Sequence, residues 1–204
     1  MSSNTAETPR VQLSFRRWLK PATFVLCCLP IVWLVAQGFG GGLGANPIEA
    51  TIRFLGDWAL RFLLIALAIT PVRLLTGWSV IARLRRMVGL FAFFYVVLHA
   101  LSYVGLDHLF NWPVLWEDIV KRVYITVGMA ALLMLTALAI TSTDSMVKKM
   151  GGSNWRRLHR LAYLAGIAGV VHFFLMIKAG YTEPTIYAVI LALLFGVRIV
   201  KKWA

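Results

Sequence analysis

The chain has 204 residues, 60% of them apolar, and a formal net charge of +13 at pH 7. Its mean hydropathy of +0.77 lies above the range of soluble globular chains and excludes a water-soluble domain as the main body of the protein. The positive charge does not by itself indicate nucleic acid, because neither a basic stripe interleaved with aromatic residues nor a nucleic-acid motif accompanies it.

Six apolar runs follow one another along the chain, each close to the roughly 20 residues that a helix needs to cross a bilayer. Backbone polar groups inside lipid must be satisfied within their own segment, so each run is predicted to be a helix. The sequence predicts an all-α, polytopic membrane protein, with an N-terminal segment over residues 1–20 and a six-helix transmembrane bundle over residues 21–204. The runs are Pro21–Phe39, Phe54–Leu75, Met87–Leu106, Val123–Thr141, Leu158–Ile177 and Pro184–Val200.

The charges are distributed unevenly between the two sides of this predicted bundle. If the N-terminus lies inside, most of the 21 Lys and Arg residues fall in inner segments, and most of the eight Asp and Glu residues fall in outer ones. This bias follows the positive-inside rule and predicts that both termini are cytoplasmic.

Arg16 and Arg17 precede the first run in a pattern that resembles a twin-arginine export signal. The glycine-rich stretch over residues 38–44 lacks a small-x-small cleavage site, so the run is predicted to remain as a permanent helix. Cys27 and Cys28 are adjacent within it and are predicted to be inert core thiols, neither a disulfide nor a metal-binding pair.

The second run carries two opposite charges one helical turn apart, Asp57 and Arg61. Their spacing allows an ion pair on one helical face near the outer surface. A structural ion pair is the preferred interpretation, and a proton-relay role is the alternative.

Two of the four histidines lie deep within apolar runs. His99 follows Met87 by 12 residues and His172 follows Leu158 by 14, or about 18 and 21 Å along each helix. Both runs lead from inside to outside, so the two imidazoles are predicted at similar depth in the outer half. Ionisable groups at such depth indicate function, and two facing imidazoles suit axial ligation of a haem iron. The alternative is a pair of core histidines that bond to backbone carbonyls or help helices to pack.

His159 begins the fifth run, 13 residues before His172, which is about 20 Å along the helix and suits two haems stacked across a membrane. Against this, the two side chains would point roughly 140° apart on an ideal helix. Arg85 and Arg86 occupy the level of the third run where a partner histidine would stand. His159 is therefore either a ligand of a second haem or an interfacial residue near lipid phosphates, and His108 is predicted to be a loop residue.

Other chemical signatures are sparse: no G-x-G-x-x-G, Walker loop, H-E-x-x-H or C-x-x-C occurs. The inner stretch over residues 141–144, with Lys148 and Lys149, offers hydroxyls and positive charge that could hold a phosphate. The alternative is a solvated connecting loop beside anionic lipid.

Several stretches taken together resemble the MsrQ (YedZ) family of the ferric reductase-like transmembrane superfamily. The likeness covers nearly all of the chain from the second run on. The stretches are Gly56–Leu60, Thr70–Arg73, Leu84–Leu90, Phe94–Tyr95, Leu98–His99, Tyr103, Thr141–Thr143, Trp155–Tyr163 and His172–Phe173.

The resemblance implies a haem-b subunit of the bacterial inner membrane, with FMN as an associated cofactor. His99 and His172 would ligate a haem in the outer half, and His159 would be the candidate ligand of a second, inner haem whose partner position holds Arg85 or Arg86. Electrons would come from the quinone pool or a cytoplasmic flavin reductase. They would pass to a periplasmic molybdopterin subunit, MsrP, which reduces methionine sulfoxide in oxidised proteins.

On this interpretation the chain transfers electrons, and its partner catalyses sulfoxide reduction. Two alternatives remain open at this level. One is a cytochrome b subunit of another quinol-linked oxidoreductase, and the other is a non-haem transporter or assembly factor in which the histidines are structural.

Overall fold

The computed structural model describes residues 8–203, with side chains from Trp18 to Lys201, and within that range the chain is helical without strands. A 3-10 helix over Ser79–Leu84 precedes α3, and a π-helical turn over Tyr103–Asp107 follows it. The α-helices are α1 (Thr8–Phe39), α2 (Pro47–Thr76), α3 (Arg85–Ser102), α4 (Trp112–Lys121), α5 (Val123–Ile140), α6 (Asp144–Met150), α7 (Gly152–Leu158), α8 (Leu161–Met176) and α9 (Thr182–Trp203).

Among the described residues six segments are long and apolar enough to cross a membrane, which confirms the predicted number of spans. They are α1 from Trp18, α2, the 3-10 helix with α3 and the π-turn, α5, α7 with α8, and α9. Successive spans run in opposite directions. One end of the bundle therefore carries α4, and the other carries α6 and α7; these are called the α4 end and the α6 end.

Capping residues explain where two of the helices begin and end. The Asn46 side chain accepts a hydrogen bond from the backbone of Glu49, and a proline follows it in the first turn of α2. At the other end of α2, Gly77 adopts a left-handed conformation with φ of 75° and donates its N–H to the Arg73 carbonyl. Asn111 caps α4 in the same way, by accepting from the Val114 amide. These caps fix both ends of α2 and the start of α4.

The most buried helix is α2, which packs against α3, α8 and α9. Glycines on α8 permit this contact: a Cβ at Gly166 would lie 3.1 Å from Leu67, and one at Gly169 would lie 3.3 Å from Leu60. Small residues at helix crossings are the usual means of close packing in membranes. The long side chains of α2 thus fill the interior between the other helices.

Helix α1 packs on the outside of the bundle and is held by Tyr95 of α3, which is fully buried. The Tyr95 hydroxyl accepts from the Ile31 amide and donates to the Cys27 carbonyl, both at 3.0 Å. In an uninterrupted helix those two groups would bond to each other, and the proline at position 30 lies beside them. Cys27 and Cys28 are free thiols, as predicted.

Short helices also lie between the long ones: α4 lies between α3 and α5, and α6 and α7 lie between α5 and α8. Helix α4 is amphipathic: Leu115 and Asp118 are buried, whereas Trp112 and Trp116 are exposed. The side chains of the paired arginines before the first run lie outside the described side chains.

Candidate functional site

A cavity of about 540 Å³ lies between α2, α3, α5 and α8 and reaches the α4 end of the bundle. Its deeper walls are apolar and come from residues such as Leu60, Leu63, Leu132 and Leu135. The volume is in the range of cofactor sites, and a concave apolar chamber with a few polar groups is typical of them.

The structure brings His99 and His172 together in the wall of this cavity. Their ring centroids lie 6.2 Å apart, and their planes cross at 87°. His99 comes from α3 and His172 from α8, so the pair joins two helices that are far apart in sequence. The prediction of similar depth therefore corresponds to a direct juxtaposition in the structure.

Each of these imidazoles is oriented by a backbone carbonyl. His99 Nδ1 lies 2.8 Å from the Ile52 carbonyl oxygen, and His172 Nδ1 lies 2.6 Å from that of Tyr124. A carbonyl oxygen only accepts, so the proton of each neutral ring is on Nδ1. The lone pair of each ring is consequently on Nε2, which is the arrangement of histidines that ligate a metal.

Two glycines make room for the histidine rings, and sequence reasoning missed their role. A Cβ at Gly56 of α2 would lie 3.0 Å from His99 Nδ1, and one at Gly128 of α5 would lie 2.8 Å from His172 Nδ1. Each glycine stands four residues after the residue whose carbonyl holds the ring. The two halves of the site thus repeat one local design: a glycine, the carbonyl one turn before it, and a histidine from the neighbouring helix.

The separation of the rings fits a single metal ion between them. If each Nε2 binds the ion at about 2.0–2.1 Å and lies about 1.1 Å from its ring centre, the ring centres are about 6.2 to 6.4 Å apart. No group of three or more His, Cys, Asp or Glu side chains that could hold a bare metal ion occurs among the described residues. Two imidazoles beside an apolar chamber therefore suit an iron whose remaining ligands belong to a porphyrin.

The α4 end of the cavity is lined by charged side chains. Four of them are acidic and two are basic, so this mouth has a formal charge of −2. The six residues are Glu49, Arg53, Asp57, Asp107, Arg122 and Glu183.

The predicted ion pair between Asp57 and Arg61 is wrong: no such pair occurs among the ion pairs of the described side chains. Arg61 Nε donates to the Tyr187 hydroxyl of α9 at 2.8 Å, and its guanidinium lies 5.1 Å from the ring centre of Trp58. Partners on α9 and on its own helix thus draw the guanidinium away, and Asp57 lines the cavity instead.

A polar cluster beside the mouth was also missed. The buried Asp118 carboxylate accepts from the Tyr103 hydroxyl at 2.6 Å and from Arg122 Nε at 3.0 Å, and it lies 3.2 Å from His108 Nε2. Arg122 also donates to the hydroxyl of Tyr124, whose carbonyl holds His172. His108 lies in the loop after the π-helical turn, as predicted, and is one member of this hydrogen-bonded cluster.

The structure does not bring His159 to this cavity. Its Nε2 lies 3.2 Å from the Thr141 hydroxyl, and its ring stacks on Trp155 with centroids 3.8 Å apart. Trp155 in turn donates to the Thr141 carbonyl, which ties the end of α5 to α7. His159 thus has local partners at the α6 end.

The two arginines predicted near His159 lie at the start of α3. Arg86 forms an ion pair of 2.6 Å with Asp144 at the start of α6, and this guanidinium lowers the pKa of the Asp144 carboxyl below its usual value. Neither arginine lines the cavity.

Comparison with known proteins finds a matching family and several similar proteins. Residues 55–170 match the family described as ferric reductase like transmembrane component. A Rhodospirillum rubrum protein named protein-methionine-sulfoxide reductase heme-binding subunit MsrQ is 62% identical over 179 residues, which are 88% of this chain and 86% of that protein. A protein of the same name from Caulobacter vibrioides is 50% identical over 84% of this chain and 82% of its own length.

A longer relative contains a similar segment. The magnetosome protein MamZ of Magnetospirillum gryphiswaldense is 44% identical over 185 residues, which are 88% of this chain and 28% of that protein.

Proposed function

This chain belongs to the ferric reductase-like transmembrane family and, within it, to the MsrQ haem-binding subunits, and from that premise we propose that it carries electrons through a haem b to a methionine sulfoxide reductase partner. The observation that supports this most is the pair of facing imidazoles, whose ring centroids are 6.2 Å apart. Both rings have Nε2 available at the wall of a cavity of cofactor size.

His99 and His172 would hold the haem from its two faces, and a haem so bound supplies one-electron redox chemistry. The carbonyls of Ile52 and Tyr124 keep each imidazole in the ligating tautomer. The deeper walls around the site are apolar. With both imidazoles as ligands the iron would have no coordination position for a substrate, so we assign the chemistry of sulfoxide reduction to a partner.

We infer that the acceptor binds at the α4 end. The positive-inside distribution of charge predicts that this end lies at the periplasmic face, and the cavity reaches it. A periplasmic molybdopterin subunit, MsrP, would dock there and reduce methionine sulfoxide to methionine and water with two electrons and two protons. The acidic mouth favours a partner whose docking surface is basic.

The donor is either a membrane quinol or a cytoplasmic flavin reductase. A quinol releases two electrons and two protons, so one quinol balances the reduction of one sulfoxide. FMN is proposed as a further cofactor on the basis of the family resemblance. The sequence also leaves open a second haem, with His159 as its ligand. The geometry favours one haem, because the described partners of His159 are Thr141 and Trp155.

The test is an electron-transfer assay in proteoliposomes that contain the haem-loaded protein. A short-chain quinol, or a flavin reductase with NADH and FMN, is added first, and reduction of the haem is followed by absorbance. A purified molybdopterin methionine sulfoxide reductase and free methionine sulfoxide are added next. We expect the haem to be reoxidised only when the reductase and methionine sulfoxide are both present.

Haem that is reduced by quinol but is not reoxidised by the reductase would indicate a cytochrome b of another quinol-linked system. Protein without haem after haem-replete expression would contradict the electron-transfer function and favour a transporter or assembly factor.

A further inference from the structure

The two carbonyls that hold the histidine rings lie in different parts of their helices. Ile52 lies in the second turn of α2, and that helix is capped by the Asn46 side chain. Tyr124 is the second residue of α5, and among the described residues no side chain caps the start of α5. Uncapped helix ends fray readily. The carbonyl that holds His172 therefore depends more on contacts outside its own helix than the carbonyl that holds His99.

Arg122 supplies such contacts, because it joins the start of α5 to α4. Its Nε donates to the buried Asp118 carboxylate at 3.0 Å, and its Nη1 donates to the Tyr124 hydroxyl at 3.2 Å. The Tyr103 hydroxyl holds the same carboxylate from α3's end of the bundle, at 2.6 Å. Tyr124 thus accepts from Arg122 through its hydroxyl and from His172 through its carbonyl. A series of contacts leads from the buried carboxylate to the histidine ring.

The side chain of Tyr124 also lies beside the His172 ring. The centroids of the two rings are 6.0 Å apart, and their planes are inclined at 53°. Arg122 and Tyr124 both line the cavity that the histidines share. A displacement of this tyrosine would therefore change both the hydrogen bond to His172 and the packing of its ring.

The His99 half of the site also has an arginine at the mouth, but its contacts are different. Arg53 follows Ile52 and pairs with Glu49, one turn earlier on the same helix, at 2.7 Å. Both side chains are about half exposed, at 51% and 52%. This pair joins two positions of α2 and does not connect α2 to another helix. The two halves of the site are alike at the rings and differ in what supports the carbonyl.

The strength of the bond between an imidazole N–H and a carbonyl affects a metal bound at the other ring nitrogen. A stronger bond places more negative charge on the imidazole and makes Nε2 a better donor. A better donor stabilises ferric iron relative to ferrous iron, which lowers the reduction potential. Hydrogen bonding behind an axial ligand is therefore one means by which a protein sets the potential of a haem.

We propose that Arg122 is a positioning residue for His172 and acts through Tyr124 to keep the haem potential low. This inference rests on the proposed ligation of haem by His99 and His172. Arg122, held by Asp118, fixes the first turn of α5 and so presents the Tyr124 carbonyl to His172 Nδ1 at 2.6 Å. Loss of this support weakens the bond to the ring and raises the potential.

Two substitutions break the bond between Arg122 and Tyr124 without changing the charge of the protein. Arg122→Lys keeps the cation but loses the planar fork that donates to two partners, and Tyr124→Phe removes the accepting hydroxyl. Arg53→Lys is the matched control, because it makes the same change at another cation of the cavity mouth. The midpoint potential of each purified protein is measured by equilibrium titration with redox dyes. The b-type absorbance of each sample verifies that haem is bound.

We expect both single variants to have a higher midpoint potential than the wild type. The equilibrium constant for reduction of the haem should rise by about tenfold, which is about 59 mV for a one-electron couple. The double variant should have the same potential as either single variant, because the two substitutions remove one and the same bond. Arg53→Lys should have the potential of the wild type.

Unchanged potentials in both single variants would overturn the proposal. An equal shift in Arg53→Lys, or shifts that add in the double variant, would overturn it as well. The two single variants test the same bond independently, so either one suffices if the other loses haem. Failure of the proposed function is distinguishable from these results, since it would show as wild-type protein without b-type absorbance.

Discussion

His99 of α3 and His172 of α8 face each other with ring centroids 6.2 Å apart and ring planes crossed at 87°. Each ring is held by a carbonyl of the adjacent helix and lies against a glycine of that helix. This relationship makes the two helix pairs, α2 with α3 and α5 with α8, equivalent sides of one site.

Crossed imidazole planes have a spectroscopic consequence. When the two planes are perpendicular, two iron d orbitals interact almost equally with the ligand π systems, so the ferric haem keeps a large orbital contribution to its magnetism. We predict a highly anisotropic low-spin signal in the electron paramagnetic resonance spectrum of the oxidised protein. A rhombic spectrum typical of parallel imidazoles would contradict the observed orientation of the rings.

The glycines are predicted to be necessary for haem binding. In Gly56→Ala and Gly128→Ala the new methyl group would meet a histidine ring at 3.0 or 2.8 Å, an overpacking that typically costs about 1–3 kcal/mol. We expect the haem content of both variants, measured by pyridine haemochrome assay, to fall severalfold. Gly89→Ala is the control, because it lies on α3 with open space around its Cβ position. Full haem content in both variants would show that the rings do not depend on these glycines.

The buried carboxylate of Asp118 is predicted to stabilise the α4 end. Asp118→Asn would leave Tyr103, His108 and Arg122 with a weaker acceptor, at a cost of about 1–3 kcal/mol. The midpoint of thermal unfolding in detergent should fall accordingly. Glu117→Gln is the matched control, since its exposed pair with Lys121 should contribute less than about 1 kcal/mol. Equal midpoints for the two variants would argue against a structural role of the cluster.

His159 is predicted to contribute nothing to haem content. The ring is stacked on Trp155 and bonded to Thr141, so His159→Ala should retain one haem per chain, as in the wild type. The measurement is the ratio of haem to protein in both samples. Two haems per wild-type chain and one in the variant would instead establish the inner haem.

Residue counts from the ends of the runs were sufficient to predict that His99 and His172 lie at one depth. Apolar length was sufficient to predict the six spans, because the thickness of the bilayer sets that length. The orientation of each ring could not be derived, since it depends on which carbonyl and which glycine the neighbouring helix presents. One hint of the role of Gly56 and Gly128 was present in the sequence, which is that each is a glycine inside an apolar helix.

The α4 end was less predictable for a different reason. The cluster around Asp118 depends on a reversal of the chain in which Leu109 and Phe110 adopt left-handed backbone angles, with φ of 46° and 60°. Positive φ angles are rare for leucine and phenylalanine, so no local sequence pattern predicts them here. The predicted pair of Asp57 and Arg61 failed because helical spacing shows only that two charges can meet. In the structure Arg61 bonds instead to Tyr187 on another helix.

The most direct test of the central claim is the dithionite-reduced minus oxidised absorbance spectrum of the purified protein, beside His99→Ala and His172→Ala. We predict a low-spin b-type spectrum in the wild type that is lost in both variants. Wild-type protein without haem after haem-replete expression, or a full b-type spectrum in either variant, would contradict ligation of one haem by this pair.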